Sequence, residues 1–259
     1  MTTGRDVWWR GTRGIAGRQT RAYFTNPMLL IPSLLFPMLF FAAFAGGLAD
    51  LSRIPGFDYA PGYTSFQYVF VLFQSSMFGG IFIGFSVARD YETGFARRLM
   101  LGAPHRSAIL CGYGLAAMIR AAATIALVTA IGLAVGVHPM GSAGGLALLY
   151  LLALLSNVLG SLWAIGLALR FRSLNATPLM QVPFFVLLFL APVYVPIELL
   201  TGWIRHVADV NPVTFLLEAG RGLLAGTGGP ILAAWLVVLI GGAAMGAWSL
   251  LGLRSAERG

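Results

Sequence analysis

The sequence predicts an all-α membrane protein with six transmembrane helices in a single domain over residues 1–259. Apolar residues make up 58% of the 259 residues and charged residues only 10%, whereas soluble domains average about 45–50% and about 25%. Six apolar windows reach the length of about 20 residues that a helix needs to cross a hydrocarbon core of about 30 Å. The predicted spans are residues 28–49, 65–88, 108–137, 143–168, 178–197 and 229–252.

The distribution of basic residues predicts the orientation of these spans. All seventeen basic residues are arginine, and thirteen of them fall before span 1, between spans 2 and 3, between spans 4 and 5 and after span 6, against three on the alternate side. Because cytoplasmic loops carry the excess of positive charge, we expect both termini to be cytoplasmic. The seventeenth, Arg120, lies within span 3, where it either snorkels to the cytoplasmic face or lines a polar interior. The net charge of +8 fits an anionic membrane surface, so no nucleic-acid partner is expected.

The segment before span 1 is predicted to be an amphipathic helix over residues 5–24. Its apolar residues fall on one arc of the helix and three arginines on the other, as in helices that lie in the membrane interface. Asn26-Pro27 ends this helix, and Pro32 and Pro37 predict a kinked or shifted span 1. The apolar arc comprises Trp8, Trp9, Ile15, Ala16, Ala22 and Tyr23, and the basic arc Arg10, Arg13 and Arg21.

Residues 89–107 form the one strongly polar segment between two long apolar segments. Two helices that cross a membrane need only a few residues to turn round. This segment is much longer, has its own helical pattern and carries Pro104 near its end. It is therefore predicted to be a cytoplasmic helix that docks a partner outside the membrane.

The segment between spans 5 and 6, residues 197–212, is too apolar for a free loop and too charged for a span. It follows Pro192 and Pro196 and ends at Asn211-Pro212. We expect short re-entrant or interfacial helices here.

The composition excludes several kinds of chemistry. The chain has no lysine, so it has neither a P-loop for ATP nor a Schiff-base lysine. The predicted topology scatters His105, His138 and His206 over opposite faces of the membrane, so they cannot share a metal ion. The single cysteine, Cys111, is interpreted as a small packing residue. No acidic residue lies at the centre of a span, so the energy for any transport is expected to come from elsewhere.

Polar and aromatic residues inside the spans define a possible substrate path. The amides of Gln67, Gln74, Asn157 and Gln181 either contact a solute or form hydrogen bonds between helices. The aromatic rings of spans 2 and 5, among them Phe70 and Phe185, either line a route for amphiphiles or are buried like other apolar groups.

Three sets of motifs follow one another between the predicted spans. They are Asn26-Pro27 at the end of the first helix, Arg89-Asp90-x-Glu92-x-Gly94 with Leu99 and Ala103-Pro104-x-Arg106-x2-Ile109-Leu110, and Pro192-x3-Pro196 followed by Asn211-Pro212-x5-Glu218-x2-Arg221-Gly222-Leu223-Leu224. In this order they resemble the permease subunits of type-2 ABC exporters, a family that includes daunorubicin-resistance-type drug exporters. The resemblance covers nearly the full chain. It departs in one respect, because without lysine only arginine is present for docking.

The resemblance implies a multi-pass protein of the bacterial plasma membrane that pairs with a second permease subunit, identical or related. Each subunit would sit on a separate cytoplasmic ABC ATPase that holds ATP and magnesium, so this chain would carry no catalytic, cofactor-binding or metal-binding residues. Residues 89–107 would be the coupling helix, with Asp90 and Glu92 in its first turn, where negative charge suits the helix dipole. The implied coupling residues are Asp90, Glu92, Gly94, Arg97, Arg98, Leu99, Pro104 and Arg106.

The resemblance also implies an outer gate in the segment between spans 5 and 6. Glu218 and Arg221 lie three residues apart on one predicted helix, so a simple surface ion pair is the alternative reading. The implied gate residues are Glu198, Trp203, Asn211, Pro212, Glu218 and Arg221.

The leading hypothesis is therefore a permease that exports an amphiphilic drug or a lipid-like molecule. A polysaccharide- or glycolipid-exporting permease of the same family is the close alternative. A membrane anchor or sensor that recruits a cytoplasmic partner and moves nothing is an alternative of another class.

Overall fold

A computed structural model describes residues 4–102 and 106–257 of the chain. The described residues form helices joined by short connections and contain no strand, and short 3-10 turns lie at Ala49–Arg53, Leu174–Ala176 and Ile197–Leu199. The α-helices are α1 (Gly4–Thr25), α2 (Pro27–Gly47), α3 (Gly62–Glu92), α4 (Phe95–Gly102), α5 (Arg106–Ala134), α6 (Ala143–Phe171), α7 (Thr177–Phe189), α8 (Trp203–Val210), α9 (Pro212–Ala225) and α10 (Ile231–Glu257).

Four of the described helices are long and apolar enough to cross a membrane, namely α3, α5, α6 and α10. They correspond to predicted spans 2, 3, 4 and 6, and α2 corresponds to span 1. Predicted span 5 is wrong over its last eight residues, 190–197, because α7 ends at Phe189. Pro192 and Pro196 follow, and proline cannot donate the hydrogen bond that would continue a helix. The 13 residues of α7 extend only about 20 Å at about 1.5 Å per residue.

Helix α3 is the centre of the bundle. It packs against α2, α5, α6, α7 and α9, and 78% of its apolar window is buried inside the protein. The corresponding window of α10 is only 11% buried. The apolar side chains of α3 therefore form the core, whereas those of α10 largely face outward.

Helices α3 and α6 approach each other closely through small residues. A Cβ atom at Gly80 would lie 2.2 Å from the Asn157 carbonyl oxygen, and one at Gly84 would lie 2.4 Å from the Ala164 Cβ. On the facing helix, a Cβ atom at Gly160 would lie 2.5 Å from the Met77 carbonyl oxygen. The two backbones can approach this closely only because these positions lack larger side chains.

Helix α1 packs along the beginning of α5. Its buried residues, Thr12, Ile15, Ala16, Gln19 and Tyr23, recur every three or four positions and so lie on one face. The predicted helix is confirmed, but its predicted apolar arc is partly wrong, because Trp9 is 44% exposed and Ala22 is also exposed. The polar residues Thr12 and Gln19 take their places because each finds a hydrogen-bond partner in the bundle.

Two residues of α5 also differ from expectation. Arg120 is buried, with its guanidinium carbon 4.0 Å from the centre of the Tyr23 ring on α1. It therefore neither snorkels nor faces a polar interior, but packs between helices. Cys111 is exposed, so its interpretation as a packing residue is wrong.

The predicted short helices between spans 5 and 6 are present as α8 and α9. They differ in burial: α8 exposes Trp203 and Val210 by 69% and 76%, whereas most of α9 is buried. Tyr63 at the start of α3 donates a hydrogen bond of 3.0 Å to the carbonyl of Tyr194, in the stretch between α7 and α8. This end of the bundle, where α3 begins, is called the distal end, and the opposite end, where α3 meets α1 and α4, the basic end.

Candidate functional site

The carboxylate of Asp90 is the centre of a buried polar cluster at the basic end. Asp90 lies in the last turn of α3 and is 5% exposed. It accepts hydrogen bonds from Arg18 Nη1 at 2.9 Å and Nη2 at 2.7 Å, from Gln19 Nε2 at 2.8 Å and from the Tyr113 hydroxyl. The Arg18 guanidinium also lies 3.7 Å from the centre of the Phe95 ring. One carboxylate thus holds α1, α3 and α5 together beside the first residue of α4.

The charge of this cluster is balanced. Hydrogen bonding to Asp90 raises the pKa of Arg18, while partial burial opposes that rise. A carboxylate with this many donors needs no further partner. Asp90 is therefore not an exposed charge that is available to pair with a docking protein.

The predicted position of the two acidic residues in the coupling helix is wrong. Asp90 and Glu92 both lie in α3, and the first turn of α4 contains no acidic residue. The apolar pattern of span 2 ends earlier, but the helix continues to Glu92 because Asp90 finds partners on α1 and α5. Gly94 adopts a φ of +71°, which glycine tolerates best, and so separates α3 from α4.

Glu92 has a different contact from Asp90. Its side chain is exposed, and its Oε1 accepts hydrogen bonds from Ser173 Oγ at 2.8 Å and from the Leu174 backbone N–H at 2.7 Å. These bonds cap the 3-10 turn between α6 and α7. The end of α3 is thus tied to α1 and α5 through Asp90 and to the α6–α7 connection through Glu92.

A mostly apolar groove lies between α1, α4 and the start of α5. Its volume is about 300 Å³, and Trp8, Ile15, Phe95, Leu99 and Ile109 are among its lining residues. Arg98 is exposed on α4, Leu99 is half-buried, and Gly94 forms the turn before them. Pro104 and the side chains of Arg97 and Arg106 lie outside the described residues. The groove and Arg98 are the features of this surface that a partner would meet.

At the distal end, the buried Arg221 forms an ion pair with the half-buried Glu218 on α9. Arg221 Nη1 lies 2.7 Å from Glu218 Oε1, and Arg221 is 2% exposed. The Arg221 guanidinium lies 3.4 Å from the centre of the Phe66 ring on α3. The surface ion pair expected as the alternative is therefore wrong. Its burial was not predicted because it depends on α3 and on the segment before it, where the Tyr59 hydroxyl donates a 3.0 Å hydrogen bond to the Arg221 carbonyl.

Glu218 and Arg221 line a polar cavity of about 360 Å³. Burial lowers the pKa of Arg221, and the carboxylate of Glu218 opposes this shift. Burial also raises the pKa of Tyr59. The remaining lining residues come from five parts of the chain and are Gly56, Asp58, Tyr59, Phe66, Pro196, Glu198, Gly222 and residues 227–230.

The other predicted gate residues divide into two groups. Glu198 is exposed in the 3-10 turn Ile197–Leu199 and lines this cavity, whereas Trp203 does not. Asn211 caps α9, because its Oδ1 accepts a hydrogen bond of 2.9 Å from the Val213 N–H, and its Nδ2 donates one of 2.6 Å to the Leu187 carbonyl. Pro212 begins α9, where its missing N–H is not needed. Asn211 and Pro212 therefore fix α9 against α7 instead of lining the cavity.

Two of the amides predicted on the substrate path form contacts within the bundle. Gln67 donates to the Tyr63 hydroxyl at 2.8 Å and to the Val193 carbonyl at 3.0 Å. Asn157 donates to the Ser76 carbonyl at 2.8 Å and so joins α6 to α3. For these two, hydrogen bonding within the bundle is what the structure shows.

The other predicted path residues differ from one another. Gln74 is completely buried, and its amide has no hydrogen-bond partner among the described residues. Phe70 is also fully buried, in the core. Gln181 is half-buried. Phe185 is half-buried too and packs on Phe78 at a centroid distance of 4.4 Å.

A second, apolar cavity opens between α6, α7, α9 and α10. Its volume is about 630 Å³, and almost all of its lining is apolar, with Trp163, Phe184, Leu216, Leu236 and Ile240 among the residues. Among residues 4–102 and 106–257, no three His, Cys, Asp or Glu side chains lie close enough to hold a metal ion.

Comparison with known proteins adds two findings. A family model described as "ABC-2 type transporter" matches residues 11–225. The "Daunorubicin resistance ABC transporter permease protein DrrB1" of Streptomyces coeruleorubidus is 26% identical to this chain over 219 residues, which cover 82% of this chain and 74% of that protein. The region matched by the family model extends from α1 to the end of α9 and includes the Asp90 cluster and the Glu218–Arg221 pair, but not residues 227–230, which also line the polar cavity.

Proposed function

Because the chain belongs to the ABC-2 type transporter family, we propose that it is the permease subunit of an ATP-driven exporter. In this proposal it moves an amphiphilic drug or a lipid-like molecule out of the cytoplasm or out of the inner leaflet. The similarity to a permease named for daunorubicin resistance supports this kind of cargo. The observation that carries the proposal is the assembly at the basic end, where the buried Asp90 holds α1 and the end of α3 beside an exposed short helix, α4.

The proposed energy source is a separate cytoplasmic ABC ATPase that binds ATP and magnesium. This chain has no lysine and hence no P-loop of its own. The ATPase would dock on α4 and on the groove between α1 and α4, where apolar rings lie beside the exposed charge of Arg98. Such a surface has the apolar centre and charged rim that protein interfaces commonly use.

The proposed orientation places the basic end in the cytoplasm and the distal end outside the bacterial plasma membrane. The arginine distribution supports it, since five arginines precede α2 whereas Arg53 is the one arginine between α2 and α3. Both ends of the chain would then be cytoplasmic. This orientation would also place the polar cavity beside Arg221 at the outer surface.

The proposed assembly contains a second permease subunit, identical or related, surrounded by membrane lipid. Helices α2 and α10 present the apolar side chains that such contacts need. Leu39 and Leu239 are 56% and 63% exposed, and Ile240 is 66% exposed. In a bilayer these faces meet either lipid tails or the second subunit.

Transport in this proposal follows from differential binding of nucleotide to two states of the complex. ATP binding draws the two ATPases together, and the α4 helix of each permease moves with them. The Asp90 cluster passes that movement to α1, α3 and α5, because its hydrogen bonds join all three helices. The nearly all-apolar cavity of about 630 Å³ favours an amphiphilic cargo over the glycan expected in the alternative.

The test is co-purification of the chain in mild detergent, with mass spectrometry of the proteins that accompany it. We expect an ABC ATPase to be recovered with the intact chain. The recovered amount should fall at least about tenfold for Arg98→Glu, because this variant reverses a charge that the ATPase surface would have to complement. Arg53→Glu is the control, since Arg53 is also exposed but lies at the distal end.

A second measurement separates export from anchoring. Cells that express the chain and the recovered ATPase should accumulate less daunorubicin than cells with the Arg98→Glu variant. An intact chain that recovers no ATPase would favour the anchor or sensor. The anchor or sensor would also be favoured if the ATPase binds the chain but the cells accumulate as much daunorubicin, or lipid-like dye, as cells with the variant.

A further inference from the structure

We propose that a cavity at the basic end binds an anionic phospholipid, with the phosphate diester of the lipid beside Arg89 and its acyl chains outside the protein. The proposal does not depend on the proposed function, because a membrane protein meets phospholipids whatever it transports. Three observations support it, namely the structure of the cavity wall, the charge of Arg89 and an apolar helix surface that begins next to the cavity.

The cavity lies between the end of α1, the end of α3 and the 3-10 turn that follows α6. Ala22 comes from α1, Phe85 and Arg89 come from α3, and Leu174 comes from the 3-10 turn. The volume of about 650 Å³ falls in the range of small-molecule sites, about 300–1,000 Å³. The wall is both polar and apolar, so the cavity suits an amphiphile.

The charged side chains of the cavity wall leave one positive charge in excess. Arg18, Arg89 and Asp90 line it, and Arg18 offsets Asp90 through two hydrogen bonds. Arg89 is exposed, and no ion pair or hydrogen bond of its guanidinium occurs among the described side chains. The neighbouring Glu92 does not line the cavity, and its carboxylate caps the 3-10 turn. A ligand with a single negative charge would therefore neutralise this wall.

The hydroxyl groups of the wall are already used as donors. Thr25, Ser86 and Thr93 each donate a hydrogen bond of 2.8–3.2 Å to the backbone carbonyl four residues earlier. A hydroxyl has only one hydrogen, so these groups have none left for a ligand. The guanidinium of Arg89 is the charged donor that remains, and its fork of N–H groups matches the oxygens of a phosphate.

An apolar helix surface begins close to the cavity. Asn26 lines the cavity, and α2 starts with the next residue. Exposed apolar residues then recur every four positions and so share one face of α2. They are Ile31, Leu35 and Leu39. The first of them lies five residues after Asn26, about 8 Å along a helix. A soluble phosphate would use only the charge of Arg89, whereas a phospholipid would also use this face.

The experiment titrates lipids into the delipidated full chain in mild detergent and follows individual lipid adducts by native mass spectrometry. Four probes separate charge from apolar contact. Dioleoyl phosphatidylglycerol has one negative charge, dioleoyl phosphatidylcholine has the same chains without net charge, dioleoylglycerol has no phosphate, and sn-glycero-3-phosphoglycerol has no chains. Phosphatidylglycerol should bind at least about fivefold more tightly than phosphatidylcholine, the size expected for one arginine beside an anionic lipid. Dioleoylglycerol should bind no more tightly than phosphatidylcholine, and the chain-free head group should form no adduct.

Three variants locate the site. Arg89→Gln should bind phosphatidylglycerol no better than phosphatidylcholine, because the wall then has no excess charge. Arg254→Gln is the matched control, since Arg254 is also an exposed arginine of the basic end but does not line the cavity. It should leave the preference unchanged. Ala22→Trp places a large ring in the cavity and should weaken phosphatidylglycerol at least about fivefold.

Several outcomes would overturn the proposal. Equal affinities for phosphatidylglycerol and phosphatidylcholine would show ordinary contact with bulk lipid. Equal losses in Arg89→Gln and Arg254→Gln would show general attraction to a basic surface, and a full affinity in Ala22→Trp would place the lipid elsewhere. Binding of the chain-free head group as tight as that of the lipid would indicate a site for soluble phosphates. No ATPase is present in this assay, so its result is independent of the test of the proposed function.

Discussion

Asp90 and Glu92 are chemically similar neighbours at the end of α3 and have opposite surroundings. Asp90 is buried and bonded to side chains of α1 and α5, whereas Glu92 is exposed and caps a turn. Hydrogen bonds to charged groups contribute about 1.5–3 kcal/mol where they are shielded from water. Solvent-exposed polar contacts contribute much less.

We predict that Asp90→Asn lowers the free energy of unfolding by about 2 kcal/mol, since the neutral amide leaves Arg18 without its charged acceptor. Glu92→Gln is the matched control and should lower it by well under about 1 kcal/mol. Thermal unfolding of the purified chain in detergent measures both. Equal losses for the two variants would contradict the interpretation of Asp90 as the main support of the basic end.

The Asp90 cluster also shows where sequence reasoning stops. The sequence correctly singled out Asp90 as a polar residue between two apolar segments. It did not identify Arg18, Gln19 and Tyr113, because Arg18 is 72 positions from Asp90 along the chain and no local periodicity links them. Arg221 is a second example. The sequence identified this residue, but it did not identify its contacts with Phe66 and Tyr59, which are also far away along the chain.

The contact between α3 and α6 is the most extensive helix contact among the described residues. In the sequence, Gly80 and Gly84 form one of several glycine pairs spaced four residues apart, and such pairs arise readily in a chain with 33 glycines. Only the three-dimensional packing distinguishes them. Gly80 and Gly84 meet the backbone or Cβ atoms of α6, whereas Gly246 of another such pair has open space around it.

We predict that Gly80→Ala destabilises the protein by about 1–3 kcal/mol, because the new Cβ would overlap the α6 backbone and force the helices apart. Gly114→Ala in α5 is the control, since a Cβ atom there meets nothing within 4 Å. It should be neutral or slightly stabilising, because alanine favours a helix more than glycine does. Retention of monodispersity after heating, followed by fluorescence-detected size exclusion, compares the two variants. A more stable Gly80→Ala would show that the helices can separate without cost.

Helix α7 marks the limit of prediction from apolar windows. Its window was long enough for a span, and the bounds of the other windows agree with helices to within a few residues. A hydropathy window counts apolar side chains and contains no information about backbone hydrogen bonding. Pro192 and Pro196 end the hydrogen-bonding pattern although their own side chains are apolar.

Over the whole molecule, charge is segregated between the two ends of the bundle. At the basic end, arginines of α1, α4 and α10 are exposed, whereas the distal end carries Asp50, Asp58, Glu198 and Asp209 with few arginines. The distribution of arginines along the sequence predicted which end is basic. It could not predict which apolar faces meet lipid and which meet a second subunit, because both environments favour the same side chains.

We predict that the distal end is reached from outside the cell and the basic end from the cytoplasm. The exposed Cys111 is first replaced in Cys111→Ser, and single cysteines are then introduced as Arg53→Cys or Arg254→Cys. A membrane-impermeant maleimide should label Arg53→Cys in intact spheroplasts and Arg254→Cys only after permeabilisation. The reverse labelling pattern would invert the orientation and the proposed direction of export.

Helix α3 spans the whole distance between the two sites. Its 31 residues extend about 46 Å at about 1.5 Å per residue, which exceeds the hydrocarbon core of about 30 Å. Phe66 under the Arg221 guanidinium and Asp90 in the polar cluster are side chains of this one helix, which contains no proline. One continuous helix therefore connects the two sites mechanically. An axial displacement or a twist applied at Asp90 is expected to reach Phe66 to the extent that α3 does not bend.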